Sequence, residues 1–438
     1  MAHDRIAVAP LETPPDWTVG VPGSKSYTNR ALLIGALVDG DTTLDHALAC
    51  EDTELLANAV RQFGRARVTA DPAADRVVVR REPGPMRAPA APVHVGNAGT
   101  PIRFLMTLAS LAVGRSEIDG NARMRERPCQ DLVDALVQLG VSAEAIRGTG
   151  CPPVAVRGPS LRGGTARIRG SVSSQFTSSI LLSAPYAERD VELEIVDELC
   201  SKPYVDMTIG IMADFGVAVE RDGHRAFRVR AGQRYRPRAY RIEPDASNMS
   251  YFLAAAAILG GRVRIPGIGA GSRQGDARFV DVLEAMGCTV ERGSESLALA
   301  GGALRGLDVD MNTMPDLVPT LAVVAAYARG RTRIGNIANL RVKECDRIAA
   351  METELAKLGI HADSTRDSLT IDGGTPHGAT VATYDDHRIA MAFAVAGLRT
   401  ADVVIENPGC TAKSFPTFWA VLAELSANGA PAWRRAAS

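Results

Sequence analysis

Six glycines punctuate the chain at intervals of 70 to 76 residues: Gly64, Gly140, Gly216, Gly287, Gly359 and Gly429. Each closes an apolar-periodic stretch such as Asp131-Leu-Val-Asp-Ala-Leu-Val-Gln-Leu-Gly140. Helices end this way because glycine accepts the left-handed backbone of the residue just past the last turn. A second series, Pro22, Gly96, Gly170, Pro244, Pro315 and Asp385, opens six other helices at spacings of 70 to 74 residues. Glycine is frequent, at 41 residues, but twelve landmarks in phase define one unit repeated six times.

Every unit reads in the same order. A short strand (Ala166-Arg-Ile-Arg-Gly170) runs into a small, polar turn and an Ala/Leu-rich helix such as Arg103 to Val113. A second strand follows (Val191-Glu-Leu-Glu-Ile-Val196), then the helix ending at the repeated glycine, then two short alternating runs. The unit is βαβαββ, with the first helices apolar all round and the second helices amphipathic. The fold class is α/β, in two domains of three units each. The last unit lacks room for its final strand pair. The first 21 residues, which hold Arg5-Ile-Ala-Val8 and Trp17-Thr-Val-Gly-Val21, are expected to complete it. One domain is then discontinuous, residues 1–21 plus 243–438, and the other is 22–242.

Composition narrows the function. Hydrophobic content is 46% and charged content 23%, and no apolar run reaches the roughly 18–20 residues of a membrane span. The N-terminus shows no signal-peptide core and carries Asp4, against a transit peptide, so a cytoplasmic, membrane-free protein is expected. Seven scattered cysteines without a Cys-x-x-Cys pair read as reduced thiols. A six-unit ring could resemble a DNA clamp, but nucleic-acid binding needs a basic surface and the net charge is −1.

The unusual residues crowd into the strand-to-helix turns. These include Gly23-Ser-Lys-Ser, Gly96-Asn-Ala-Gly-Thr100, Arg123-Met-Arg-Glu-Arg127, Ser171-Val-Ser-Ser-Gln175, Ser201-Lys-Pro-Tyr204 and Pro315-Asp316. Asn339-Leu-Arg-Val-Lys-Glu-Cys-Asp-Arg347, Asp385-Asp-His-Arg388 and Thr411-Ala-Lys413 complete the set. Singly each has an ordinary explanation. Gly-Ser-Lys-Ser is not a full nucleotide P-loop, serines cap helices, and Asp-Asp-His without a second cluster is a poor metal site. Together they place Lys25, Arg30, Arg127, Lys343, Arg347, Arg388 and Lys413 at helix starts, where the macrodipole disfavours cations. Anionic ligands, phosphates or carboxylates bound without a metal, account for this, and Asp316 and Glu344 among the cations are candidates for proton transfer.

In these motifs, in order and over essentially the whole chain, the sequence resembles the 5-enolpyruvylshikimate-3-phosphate synthases of the enolpyruvyl transferase family. The resemblance implies two domains of three βαβαββ units with a ligand cleft between them. It implies transfer of the enolpyruvyl group of phosphoenolpyruvate to the 5-hydroxyl of shikimate 3-phosphate by addition and elimination, with no cofactor and as a monomer. The shikimate-phosphate site would comprise Lys25, Ser26, Arg30, Ser173, Ser174, Gln175, Ser201, Tyr204, Asp316, Asn339 and Lys343. The phosphoenolpyruvate site would comprise Lys25, Asn97, Gly99, Arg127, Gln175, Arg347, Arg388 and Lys413. Asp316 would accept the hydroxyl proton, while Glu344 and Lys25 would handle the proton at carbon.

The chain departs from the family pattern at Leu340, where an aromatic is common, and at Pro101 and Phe104 in the helix behind the phosphoenolpyruvate site. Those last two bear on inhibition by glyphosate, expected to compete with phosphoenolpyruvate. The sister transferase acting on UDP-N-acetylglucosamine is the enzyme alternative. It commonly has a reactive Cys where this chain has Ala122, and Lys-Asn where it has Lys25-Ser26. A non-enzymatic repeat scaffold would leave Asp316 and Glu344 without a purpose.

Overall fold

The computed structural model describes residues 4–426 and 433–435. The chain divides into two compact units, residues 23–243 and residues 1–22 with 244–438. Each holds three four-stranded sheets and its own hydrophobic core.

One repeat shows how the sequence builds a sheet. Gly164–Ile168 pairs in parallel with Val191–Ile195, the helix Ser174–Ser183 joining them. Val191–Ile195 then pairs antiparallel with Ala226–Val229, leaving Glu220–Asp222 at the edge. The spatial order is first, second, fourth, third, and all six sheets share it. Alternation sets the inner face: Ala166 and Ile168 are buried, Thr165 and Arg167 exposed.

Three helices form the centre of each unit. In residues 23–243 they are Lys25–Leu37, Gly99–Ala109 and Ser174–Ser183; in the other unit, Ala246–Leu259, Val318–Ala326 and His387–Gly397. Nearly every residue of these helices is buried, and within each unit they pack on one another. Small residues permit the approach, and a hydroxyl pair joins two of the central helices in each unit, Thr107 to Ser179 at 2.6 Å and Ser250 to Thr320 at 3.3 Å. The second helices, such as Glu51–Gln62 and Gln130–Gln138, are half-buried and close the outer layer. They end where the glycine series predicts: Gly64, Gly140, Gly216, Gly287 and Gly359 all have φ between 79° and 113°. Gly429 lies outside the described residues.

Strand exchange departs from expectation at three places. Arg5–Val8 does join the sixth unit, antiparallel to Val403–Glu406. Its other neighbour is Trp433–Arg435, so the C-terminal segment supplies the edge strand and only one strand is borrowed. Asp16–Thr18 instead pairs in parallel with Arg262–Pro266 and completes the fourth unit, where Trp17, Val19 and Val21 enter the core. The first strand of the first unit is Ala239–Arg241, parallel to Gly40–Asp45. Three-residue strands carry too little pattern to select a sheet; the buried alternation of Trp17, Val19 and Val21 is satisfied equally by either.

Candidate active site

In residues 23–243 the three central helices bring their N-terminal turns into the set of motifs read from the sequence. Ser24 caps the first helix, its hydroxyl oxygen facing the Tyr27 N–H at 3.5 Å. Lys25 is the first helical residue, and its Nζ lies 3.0 Å from Oδ2 of the buried Asp52. Ser173 caps the third helix by accepting the Gln175 N–H at 3.3 Å, while the Gln175 side chain donates to Thr100 at 3.2 Å. Ser174 is buried at the first position of that helix. Ser201 is left-handed (φ 52°) and opens the helix Lys202–Asp214 without a side-chain cap bond.

Arg30 sits deeper than its neighbours. Its guanidinium donates to Thr208 Oγ1 at 2.7 Å and to the carbonyls of Ser26 and Tyr204, each at 3.0 Å. It lies over the Phe104 ring at 5.6 Å and near the Tyr204 ring. Burial pulls its pKa down to about 10, still cationic at neutral pH. Arg30 thereby ties the turn carrying Ser26 to the one carrying Tyr204, with Phe104 filling the space beneath.

Arg127 donates from Nη1 to both the carbonyl and the side-chain oxygen of Asn97, each at 3.0 Å. Gly99 leaves room for the two guanidiniums: a Cβ would stand 2.6 Å from Arg127 Nη2 and 3.0 Å from Arg103 Nη1, so a side chain there would push one of them aside. Pro101 falls in the first turn of its helix, where a missing N–H costs nothing.

The other unit holds a network around Asp316. Oδ1 is 3.0 Å from Arg347 Nη1 and 3.5 Å from Lys343 Nζ, and Oδ2 is 2.9 Å from Arg388 Nη2. Burial works to raise its pKa, but Arg388, Lys343 and Arg347 outweigh it and hold the carboxyl well below the usual carboxylate range. Arg347 is buried and also binds Glu344 at 2.8 Å and Asp386 at 2.7 Å. Asn339 is buried in the short turn Ala338–Val342 that leads to Lys343. Lys413 is buried at the end of the turn Pro408–Lys413.

The reading of all seven cations as helix starters needs correction. Lys25, Arg347 and Arg388 do occupy first turns. Arg30 lies in its helix's second turn, and Arg127, Lys343 and Lys413 stand at the ends of 3₁₀ turns, where free carbonyls favour cations. Two acids went without a site role in the sequence analysis, Asp52 unremarked and Asp386 noted only within the Asp-Asp-His-Arg motif. Asp52 anchors Lys25, and the fully buried Asp386 binds Arg347 through both oxygens while capping the helix of Arg388. Both look locally like ordinary acids of a helix start, and their partners are distant in sequence. Among the described residues no group of three or more His, Cys, Asp or Glu could hold a metal ion, and no helix is long and apolar enough to cross a membrane.

Each unit thus carries cations and helix-start turns suited to anions on a repeated βαβαββ scaffold, and one of them pins a carboxylate between three cations, the marks of a protein class that handles small anions. Comparison with known proteins identifies it further. Residues 13–422 match the family EPSP synthase (3-phosphoshikimate 1-carboxyvinyltransferase), and the chain belongs to that family. It is 45% identical to the 3-phosphoshikimate 1-carboxyvinyltransferase of Trichormus variabilis, over 95% of this chain and 98% of the relative. It is also 45% identical to the enzyme of that name from Serratia proteamaculans, over 93% and 96%. The EPSP synthase structure from Acinetobacter baumannii superposes with a TM-score of 0.80 at 28% identity, covering 99% of this chain and all of that one. The enolpyruvyl transferase NikO from Streptomyces tendae shares the fold, with a TM-score of 0.79 at 20% identity over the full length of both chains.

Proposed function

We propose that the chain transfers the enolpyruvyl group of phosphoenolpyruvate to the 5-hydroxyl of shikimate 3-phosphate, releasing inorganic phosphate, with the residues described above in specific roles. In residues 23–243, Lys25, Ser26, Ser173, Ser174, Gln175, Ser201 and Tyr204 bind shikimate 3-phosphate. Serine hydroxyls and helix N–H groups are suited to its phosphate. Arg30 belongs to this set by holding Ser26 and Tyr204 in place. Asp316, Asn339 and Lys343 are assigned to the same substrate. Phosphoenolpyruvate carries a phosphate and a carboxylate, matched by Lys25, Asn97, Gly99, Arg127, Gln175, Arg347, Arg388 and Lys413.

The reaction needs a base for the hydroxyl and an acid for the methylene carbon. The 5-hydroxyl oxygen attacks C2 of phosphoenolpyruvate, its proton passes to Asp316, and C3 gains a proton from Glu344 or Lys25. Elimination reverses the transfer at C3: a proton leaves the methyl group, the double bond re-forms, and the C2–O bond to phosphate breaks. Both candidates for the carbon proton are fixed by partners, Glu344 by Arg347 and Lys25 by Asp52.

The observation that carries this reading is Asp316 held among Arg347, Lys343 and Arg388. A carboxylate so stabilised is ionised but a weak base. Anionic substrate drawing charge from those three cations raises its proton affinity at the moment a base is needed. Asp316→Asn keeps the shape and loses the base. We expect phosphate release to fall about 10²–10⁴-fold, with shikimate-phosphate binding kept within about tenfold. Unchanged turnover would remove Asp316 from the mechanism.

A further inference from the structure

Just before Asp386, two non-glycine residues in succession, Tyr384 (φ 54°) and Asp385 (φ 57°), hold left-handed backbone. Among the described residues no other consecutive non-glycine pair does so. This conformation crowds the Cβ against a carbonyl, and it persists only where the surroundings over-determine it. Tyrosine lacks the short polar side chain that lets Asn or Asp close a local hydrogen bond there.

Glu354 supplies the constraint. It is fully buried; Oε1 accepts the Tyr384 hydroxyl at 2.6 Å, and Oε2 accepts the Ala382 N–H at 3.1 Å. Lys357 Nζ balances its charge, 2.9 and 2.8 Å from the two oxygens. On the loop's other side Asn407 donates to Asp385 Oδ1 at 3.1 Å. Glu354 follows Arg347 by seven residues in the helix Arg347–Lys357, almost two full turns. Both side chains therefore leave one helix face about 10 Å apart. The loop is stitched to that face twice, by Asp386 to Arg347 and by Ala382 and Tyr384 to Glu354.

We propose that Glu354 is a positioning residue for phosphoenolpyruvate binding: it fixes the left-handed turn that delivers Asp386 to Arg347 and starts the helix of Arg388. It touches no substrate. Its effect passes through Asp386, which orients the Arg347 guanidinium and accepts the Arg388 N–H. The proposal rests on the assignment of Arg347 and Arg388 to phosphoenolpyruvate.

Steady-state kinetics of the full chain test it, with Arg388→Ala, Glu354→Ala, Glu354→Gln and Tyr384→Phe compared beside their thermal unfolding. Glu354→Ala should raise KM for phosphoenolpyruvate about tenfold and leave KM for shikimate 3-phosphate within about twofold. Glu354→Gln can still accept the Tyr384 hydroxyl and should recover part of that loss, with Tyr384→Phe intermediate. If Glu354→Ala fails to fold, the two near-isosteric variants carry the test, each raising KM for phosphoenolpyruvate about threefold or more. A purely structural role would lower kcat through the folded fraction and leave both KM values alone, and that result overturns the proposal. So does a parental KM in the Gln and Phe variants beside a raised one in Arg388→Ala. An unchanged KM in Arg388→Ala itself overturns the site assignment and this proposal with it.

Discussion

Two acids of the same unit, the buried Asp276 and the half-buried Asp316, are set in opposite directions. Asp316 is held ionised by three cations, whereas burial and the charge of Asp316 push the Asp276 carboxyl up to about 6, and Arg388 and the Ser247 hydroxyl only partly offset this. The folded chain therefore keeps a proton on Asp276 between about pH 4 and 6 that the unfolded chain has already released. Stability from this group falls as pH rises through that window and stays low above it, by on the order of 3 kcal/mol. Asp276→Asn, which can still bond Ser247, should unfold at a higher temperature than the parent at pH 8 and show no gain at pH 4. Calorimetric scans across that range check it; an equal or lower Tm at pH 8 would contradict the burial argument. Asp316 has the reverse sign: its depressed pKa contributes stability above about pH 4, lost as pH falls further.

At the scale of helices and turns, local chemistry and long-range partnership part company. The repeated glycines were legible because left-handed backbone is a local demand that one residue type meets at least cost. They also differ in a way sequence does not reveal. A Cβ on Gly64 would meet nothing within 4 Å, whereas on Gly287 it would stand 2.6 Å from the Ala303 carbonyl oxygen, with φ at 113°. Gly64→Ala should cost about 1 kcal/mol, the backbone term alone, and Gly287→Ala at least about twice that. Urea midpoints of the two variants would show equal shifts if contact adds nothing. The candidate site stood out on the same terms: Lys25, Ser173, Asp316, Arg347 and Arg388 stand in distinctive turns. Asp52 and Glu354 were not read as site residues, because an acid early in a helix or inside it is ordinary, and Asp386 was weighed only as part of a metal motif. Only tertiary packing brings Asp52 to Lys25, or Glu354 to Tyr384.

Across the whole chain, six repeats and two bodies could be read from phase, but the destinations of the shortest strands could not. Those strands decide what can fold alone. Residues 23–243 contain all the strands of their three sheets, including Ala239–Arg241. Residues 244–438 lack Arg5–Val8, an interior strand of one sheet, and Asp16–Thr18, an edge strand of another. The fragment 23–243 should show a cooperative unfolding transition by itself. The fragment 244–438 should not, until a peptide spanning residues 4–22 is supplied. Hydrogen exchange at Val403–Glu406 gives the sharpest reading, with protection appearing only when the peptide is added; protection without it would mean that the borrowed strand is dispensable.

The same borrowed strand imposes an order on synthesis. Arg5–Val8 leaves the ribosome well before its partner Val403–Glu406, which follows roughly 400 residues later, on the order of 20–80 s at cellular elongation rates. Throughout that interval residues 23–243 can finish folding, but the strand must wait with both edges unpaired. An apolar strand in that state is a template for pairing with other chains. The segment that follows it, Ala9-Pro10-Leu-Glu-Thr-Pro14-Pro15, cannot extend such pairing, since proline offers no N–H to a growing ladder. The prolines beside the waiting strand serve the nascent chain as chemical spacers, at work before there is a folded enzyme for them to belong to.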